Sequence, residues 1–237
     1  MPANTSRSSS RKPLTTSRPR WFAPLVIVLI GLIVGVGIIA LVEMGKARSS
    51  SGQDAGALPA TRANSHVLDN VGPDAPTLVE FLDFECEACG ALHPVVQDVR
   101  AKYRGKINYV IRYFPLSGHF NAMPSALAVE AAAQQGKTEE MANLLLTTQA
   151  QWGEQRVSMA PLFREYAQQI GLDLAKYDAA VADPATKQRV EQDFNDGVAL
   201  GVQSTPTFIL DGRVLTLKTL NDLTEPIDQA IAAGPKK

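Results

Sequence analysis

Two cysteines stand in a C-x-x-C spacing, Cys86-Glu87-Ala88-Cys89, and they are the only cysteines of the chain. Few chemistries use such a pair. A purely structural disulfide gains little, because so short a loop removes little chain entropy and its geometry is tight. Structural zinc takes about four ligands; no second cysteine pair exists, and beyond Cys86 and Cys89 there are only His66, His93 and His119. Covalent haem attachment needs histidine directly after the second cysteine, where Gly90 stands. Reversible dithiol–disulfide exchange remains, with no metal and no cofactor beyond the redox-active disulfide itself.

The placement of the pair favours that chemistry. It lies where a strand ends and a helix begins, and the free N–H groups of a helix start favour an anion by about 0.3–1 kcal/mol, up to roughly 2 when partly buried. At 1.36 kcal/mol per pKa unit, this lowers a thiol from about 8.5 by roughly one unit. Cys86, at the edge, is therefore expected to be the exposed nucleophile. Cys89, one turn in, is expected to be the more buried thiol that resolves the mixed disulfide.

The elements that must hold the pair are legible around it. Thr77–Phe84 is an apolar, β-prone run that reads as a buried strand. From Cys89 to Tyr103 the residues Leu92, Val95, Val96, Val99 and Tyr103 share one helical stripe, with Pro94 predicted to kink it. Ile107–Phe114 reads as a second strand. An Ala- and Leu-rich helical block follows from about 122 to 200, with boundaries near Gly136, Gly153, Gly171 and Pro184. Thr207–Leu210 and Val214–Leu217 flank Asp211-Gly212, a hairpin signal, and a last helix runs from about Leu220 to Ala233. The order predicts an α/β domain with a central sheet and helices on its faces.

The N-terminal quarter reads differently. Residues 1–20 carry Arg7, Arg11, Lys12, Arg18 and Arg20, no acid and almost no large apolar residue, the composition of a disordered tail. Residues 21–42, from Trp21 to Val42, carry no charge. As a helix they span roughly 33 Å, enough for a hydrocarbon core of about 30 Å. The basic excess ahead of them predicts a cytoplasmic N-terminus and a domain outside. A cleaved signal peptide has the same charge order, but the nearest clean Ala-x-Ala, Ala55 to Ala57, lies well past the apolar end, which favours an uncleaved single-pass anchor. Residues 43–65 then form a small, polar stalk, and the domain is expected over 66–235. With 23 basic against 24 acidic residues, nothing points to nucleic acid.

Three segments together resemble the DsbA-like branch of the thioredoxin superfamily, above all its membrane-anchored or lipoprotein forms from Gram-positive bacteria. They are FLDFECEACGALHP at Phe81–Pro94, YFPL at Tyr113–Leu116 and GVQSTPTFILDG at Gly201–Gly212. The resemblance covers about residues 66–235. It implies a thioredoxin-like fold with an inserted helical subdomain over about 122–200. It implies that Thr205-Pro206 is the cis-proline loop that lies against the pair and accepts substrate backbone. It also implies that Glu80 is the buried acid beneath the pair, with a raised pKa and able to take the Cys89 proton.

Family members usually carry proline after the first cysteine; here Glu87 stands there, with Glu85 on the other side. Two acids near Cys86 are expected to oppose the thiolate and to make the couple tens of millivolts less oxidising, since 1.4 kcal/mol corresponds to about 30 mV. His93, one turn after Cys89, either supports the thiolate when protonated or is an exposed helical histidine. His119 fits the family pattern, and the sequence gives it no role.

The expected function is oxidation of dithiols in secreted or surface proteins. Partners are those substrates and a membrane quinone reductase of the DsbB or vitamin K epoxide reductase-like type. Two other readings stay open: a thiol reductase, as in cytochrome c maturation, and a non-catalytic tethered domain that holds peptides in the cis-proline groove.

Overall fold

The computed structural model describes residues 60–234. The tail at 1–20, the apolar span at 21–42 and most of the stalk lie outside the described residues. Among the described residues no helix is long and apolar enough to cross a membrane.

In chain order the elements are β1 (His66–Asp69), β2 (Thr77–Leu82), α1 (Glu87–Lys102), β3 (Asn108–Tyr113), α2 (Ala122–Ala133), α3 (Thr138–Thr147), a 3₁₀ turn (Gln149–Gln151), α4 (Ala160–Gln169), α5 (Leu174–Ala182), α6 (Pro184–Ala199), β4 (Thr207–Leu210), β5 (Arg213–Val214) and α7 (Asn221–Ala232). The strands form one sheet in the order β1-β3-β2-β4-β5. Only β2 and β3 run parallel, with Glu80 opposite Ile111, and α1 makes the crossover between them. The inserted helical subdomain, α2 to α6, connects β3 to β4.

Both faces of the sheet are covered, which is why β2 and β3 read as continuous apolar runs. Leu78 and Leu82 of β2 pack with Val96 and Val99 of α1, Leu223 and Ile227 of α7, and the inserted helices. Val79 and Phe81 point the other way and pack with Val110, Phe114, Val202 and Ile209. Glu80 alternates with them and so faces the larger core, toward α1.

Four details depart from the sequence reading. β1 had no periodic signature, being a short, half-exposed edge strand paired antiparallel with β3. Helix α1 begins at Glu87, with Cys86 itself as the N-cap, and it runs on through Pro94. β5 stops after two residues, although Asp211 and Gly212 take the positive φ of +49° and +82° that the hairpin turn requires. The stalk was expected to reach Ser65, but residues 60–65 lie on the domain.

Charge is what ties that segment down. Arg112 of β3 is fully buried and reaches Asp193 at 2.5 Å, Asp196 at 2.6 Å and the Ala60 carbonyl at 2.8 Å. Arg62 adds a two-pronged ion pair to Asp196, and its guanidinium holds the Asp196 carboxyl below the usual range. Arg189 donates to the Asn64 carbonyl. A buried arginine is tolerable only when its donors are filled, so Arg112 needs both the α6 acids and the incoming chain.

Helix α6 approaches the sheet closely at Gly197. A Cβ there would sit 2.7 Å from the Phe114 ring and 3.1 Å from that of Phe81. Overpacking of this kind costs about 1–3 kcal/mol, against roughly 1 kcal/mol that alanine gains over glycine inside a helix. Gly197→Ala should therefore lower the urea midpoint of the folded domain, and an unchanged or raised midpoint would show that the rings can yield.

Candidate active site

Cys86 closes the turn after β2 and caps α1. Its carbonyl accepts from the backbone N–H of Cys89 at 3.0 Å and of Gly90 at 3.1 Å, and its own N–H donates to the Asp83 carbonyl at 3.1 Å. Both cysteines are free thiols. Cys86 is 7% exposed and Cys89 1% exposed, so the order of accessibility is as the spacing implied, but Cys86 offers only a sliver of surface rather than an open face.

The cover comes from the loop before β4. The Thr205–Pro206 peptide bond is cis, and in its thiol form Cys86 donates from Sγ to the Thr205 carbonyl at 3.4 Å. The Thr205 hydroxyl is buried there without a hydrogen-bond partner. Around this sulfur the anion is strongly preferred. The Cys86 thiol is lowered to about 5, first by the Cys89 S–H donating to it, then by the Thr205 side chain and the N–H groups of Cys89 and Ala88, against the cost of burial. Cys89 moves the opposite way, raised by burial, by its hydrogen bond to Cys86 and by the charge of Glu80. One thiol is thus held as the nucleophile and its neighbour as the proton-bearing resolver.

Glu80 is 4% exposed on the core face of β2, and the Tyr109 hydroxyl donates to its carboxylate. Burial pushes Glu80 up to about 7, with Tyr109 and Arg100 holding it from going higher. Arg100 lies over the Tyr109 ring at 4.9 Å and is itself fixed by Asp69 at 2.7 Å and Glu139 at 2.6 Å. A carboxyl poised near neutrality beneath Cys89 has the proton affinity that a general base for that thiol needs.

The two acids beside Cys86 do not oppose its thiolate as expected. Glu85 turns into the protein, 1% exposed, where its Oε2 accepts from the Asn121 N–H at 2.5 Å. Glu87 is exposed and is lowered mainly by the N–H groups of its own helix start and by a hydrogen bond with Glu154, which is raised in return. Local hydrogen bonding to the sulfur outweighs charge at a distance. His93 is half-buried and lowered by burial and by Arg100, and it is not among the main groups that shift Cys86.

Two residues that the sequence left without a role meet the site. His119 is raised despite burial, because its Nδ1 lies 2.7 Å from the buried Asp83 carboxylate and because it senses Cys86 and Glu85. Gln149, in the 3₁₀ turn of the insertion, donates through Nε2 to the carbonyls of Phe84 at 2.7 Å and Cys86 at 2.9 Å. A Cβ on Gly90 would come within 2.2 Å of Gln149 Oε1, so glycine after the second cysteine is what lets this clamp close. Nothing local in the sequence gives either residue its role, since each arrives from a distant loop. Trp152 is core, fully buried and edge-on to Phe163. Among the described residues no cluster of histidine, cysteine and acid could hold a metal.

A family model described as thioredoxin matches residues 72–229. Among solved structures, α-DsbA1 of Wolbachia pipientis superposes with a TM-score of 0.63 at 19% identity, over 73% of this chain and 94% of that one. A thioredoxin-like oxidoreductase from Silicibacter pomeroyi gives 0.60 at 25% identity, over 73% and 95%. A curated relative, a Na(+)/H(+) antiporter NhaA 1 of Mycobacterium sp. strain KMS, is 37% identical over 147 residues, or 60% of this chain. That match spans only 23% of the antiporter's length.

Replacing the poised acid tests its role. Glu80→Gln should slow release of a mixed disulfide from Cys86 by about a hundredfold while leaving thiolate formation at Cys86 in place. In the unsubstituted protein the release rate should rise with pH through about 7, where Glu80 loses its proton, and level off above. Stopped-flow kinetics showing no change in rate or profile would remove Glu80 from the mechanism.

Proposed function

The chain belongs to the thioredoxin family, and from that premise we propose that it is a DsbA-type thiol–disulfide oxidoreductase that oxidises dithiols of secreted or surface proteins from outside the cytoplasm. The observation that carries the direction is the Cys86 thiolate. A thiol lowered to about 5 is almost wholly ionised at pH 7. Relative to an ordinary thiol this stabilises the reduced enzyme by about 3 kcal/mol, or roughly 60 mV for two electrons. The bonds around Cys86 stabilise the reduced form, so the oxidised form is a strong acceptor.

In the proposed cycle a substrate thiolate attacks Sγ of Cys86 in the disulfide, and Cys89 leaves as a thiolate that takes a proton from Glu80. A second substrate thiolate then attacks the mixed disulfide. The substrate leaves oxidised and Cys86 leaves as the stabilised thiolate. Two electrons pass to the enzyme and return to a membrane quinone reductase of the DsbB or vitamin K epoxide reductase-like type. Residues 21–42 would anchor the domain beside that partner, with the N-terminus inside. The loop at Thr205 and Pro206 would take substrate backbone as an added strand-like contact. The NhaA relatives lend no activity to this reading, since the match reaches less than a quarter of their length.

Trapping decides the direction. Cys89→Ala expressed in its own cell should accumulate mixed disulfides at Cys86 with secreted and surface proteins, read by non-reducing gels and mass spectrometry. Capture instead of apocytochrome or of a reductant-feeding membrane protein would make the protein a reductase.

A further inference from the structure

Residues 83–86 carry the chain from β2 to α1, and the place of the reactive sulfur depends on how that short turn is fixed. Asp83 holds it from within: its carbonyl accepts the Cys86 N–H, and its Oδ1 accepts the Glu85 N–H at 2.9 Å. From outside, one side chain spans the turn. Gln149 lies 63 residues beyond Cys86 in sequence, and its Nε2 donates to the carbonyls of Phe84 at 2.7 Å and Cys86 at 2.9 Å. An amide nitrogen carries two N–H donors, so each carbonyl receives its own.

The Cys86 carbonyl is the decisive acceptor of the two. It also takes the N–H groups of Cys89 and Gly90, the first hydrogen bonds of α1. Its orientation therefore sets the helix start, and the helix start supplies N–H groups to the sulfur. The Gln149 amide also offsets the negative ends of two carbonyl dipoles beside a site that must hold an anion. Without it the turn loosens and that negative potential is uncompensated. Both effects disfavour the thiolate.

The donor rests on the core of the inserted helices. The Gln149 carbonyl accepts from the N–H groups of Trp152 at 3.1 Å and Gly153 at 2.7 Å. Trp152 is fully buried edge-on to Phe163, and its Nε1 donates to the Leu145 carbonyl at 3.1 Å. On the other side Gly90 leaves the room, since a Cβ there would lie 2.8 Å from Gln149 Cδ and 3.1 Å from its Nε2.

We propose that the Gln149 amide, admitted by the missing side chain of Gly90, is a positioning group for the Cys86 nucleophile, through which the helical insertion sets how oxidising the couple is. The inference rests on the dithiol-oxidation reading and adds a determinant of its direction. Gln149 touches no reacting atom; it acts through the two carbonyls and the helix start.

Variants of the full chain test this by two readouts, the equilibrium with glutathione and the pH profile of Cys86 alkylation by iodoacetamide. Gln149→Met keeps the length of the side chain and removes its donors. The alkylation midpoint should move up by about half a unit, and the couple should become about threefold less oxidising at equilibrium. Gly90→Ala, which drives the amide off its carbonyls, should do the same, although alanine is the better helix former. In the Gln149→Ala protein the Gly90→Ala change should shift neither readout further, because the atoms it strikes are gone. Unchanged midpoint and equilibrium in Gln149→Met, with only the urea midpoint lowered, would overturn the proposal and leave dithiol oxidation standing. A full shift from Gly90→Ala in the Gln149→Ala protein would overturn it as well. An ordinary thiol midpoint in the unsubstituted protein would overturn the dithiol-oxidation reading and this inference with it.

Discussion

One sulfur anion organises this molecule. The Cys86 thiolate is held by the S–H of Cys89 and the N–H groups of Cys89 and Ala88, all from the start of α1, and by Thr205 from the distant loop before β4. The interaction is strong because the site is nearly dry: hydrogen bonds to a buried charge gain from the low local dielectric that would make the same charge intolerable unpaired. Loss of any one donor would leave the rest facing an under-satisfied anion.

Much of the fold exists to bring those donors together. The parallel β2–β3 pair with α1 between them sets the helix start at Cys86, and pairing of β4 against β2 brings the loop at Thr205 onto the sulfur. The inserted helices contribute through Gln149, which grips the carbonyls on both sides of the active turn, and through the room that Gly90 leaves for it. On the opposite face Arg112 links β3 to α6 and to the chain arriving at Ala60. The charge it neutralises is internal, so the sheet is braced from both sides.

The C-x-x-C pair, the strand before it and the helix after it were legible because they are local: spacing and periodicity within a few turns dictate them. The late Thr205-Pro206 was legible only through resemblance, since nothing near it in sequence reveals what it touches. The acids were misread for a physical reason. Proximity in sequence placed Glu85 and Glu87 near the sulfur, but side-chain direction decides charge effects, and both carboxylates turn to other partners. His119 and Gln149 were beyond reach for the same reason, because their roles arise from loop closure over long sequence separations. β1 escaped notice because four half-exposed residues carry no period to detect.

The account stands on the acidity of one thiol. Following the ultraviolet absorbance of the thiolate against pH in the reduced protein, with the Cys86→Ser protein as blank, measures it directly. A single transition centred near 5 is the expected result. A transition at the ordinary thiol value of about 8.5 would mean that the donors around Cys86 do not hold an anion, and both the mechanism and the direction of electron flow drawn from it would fall.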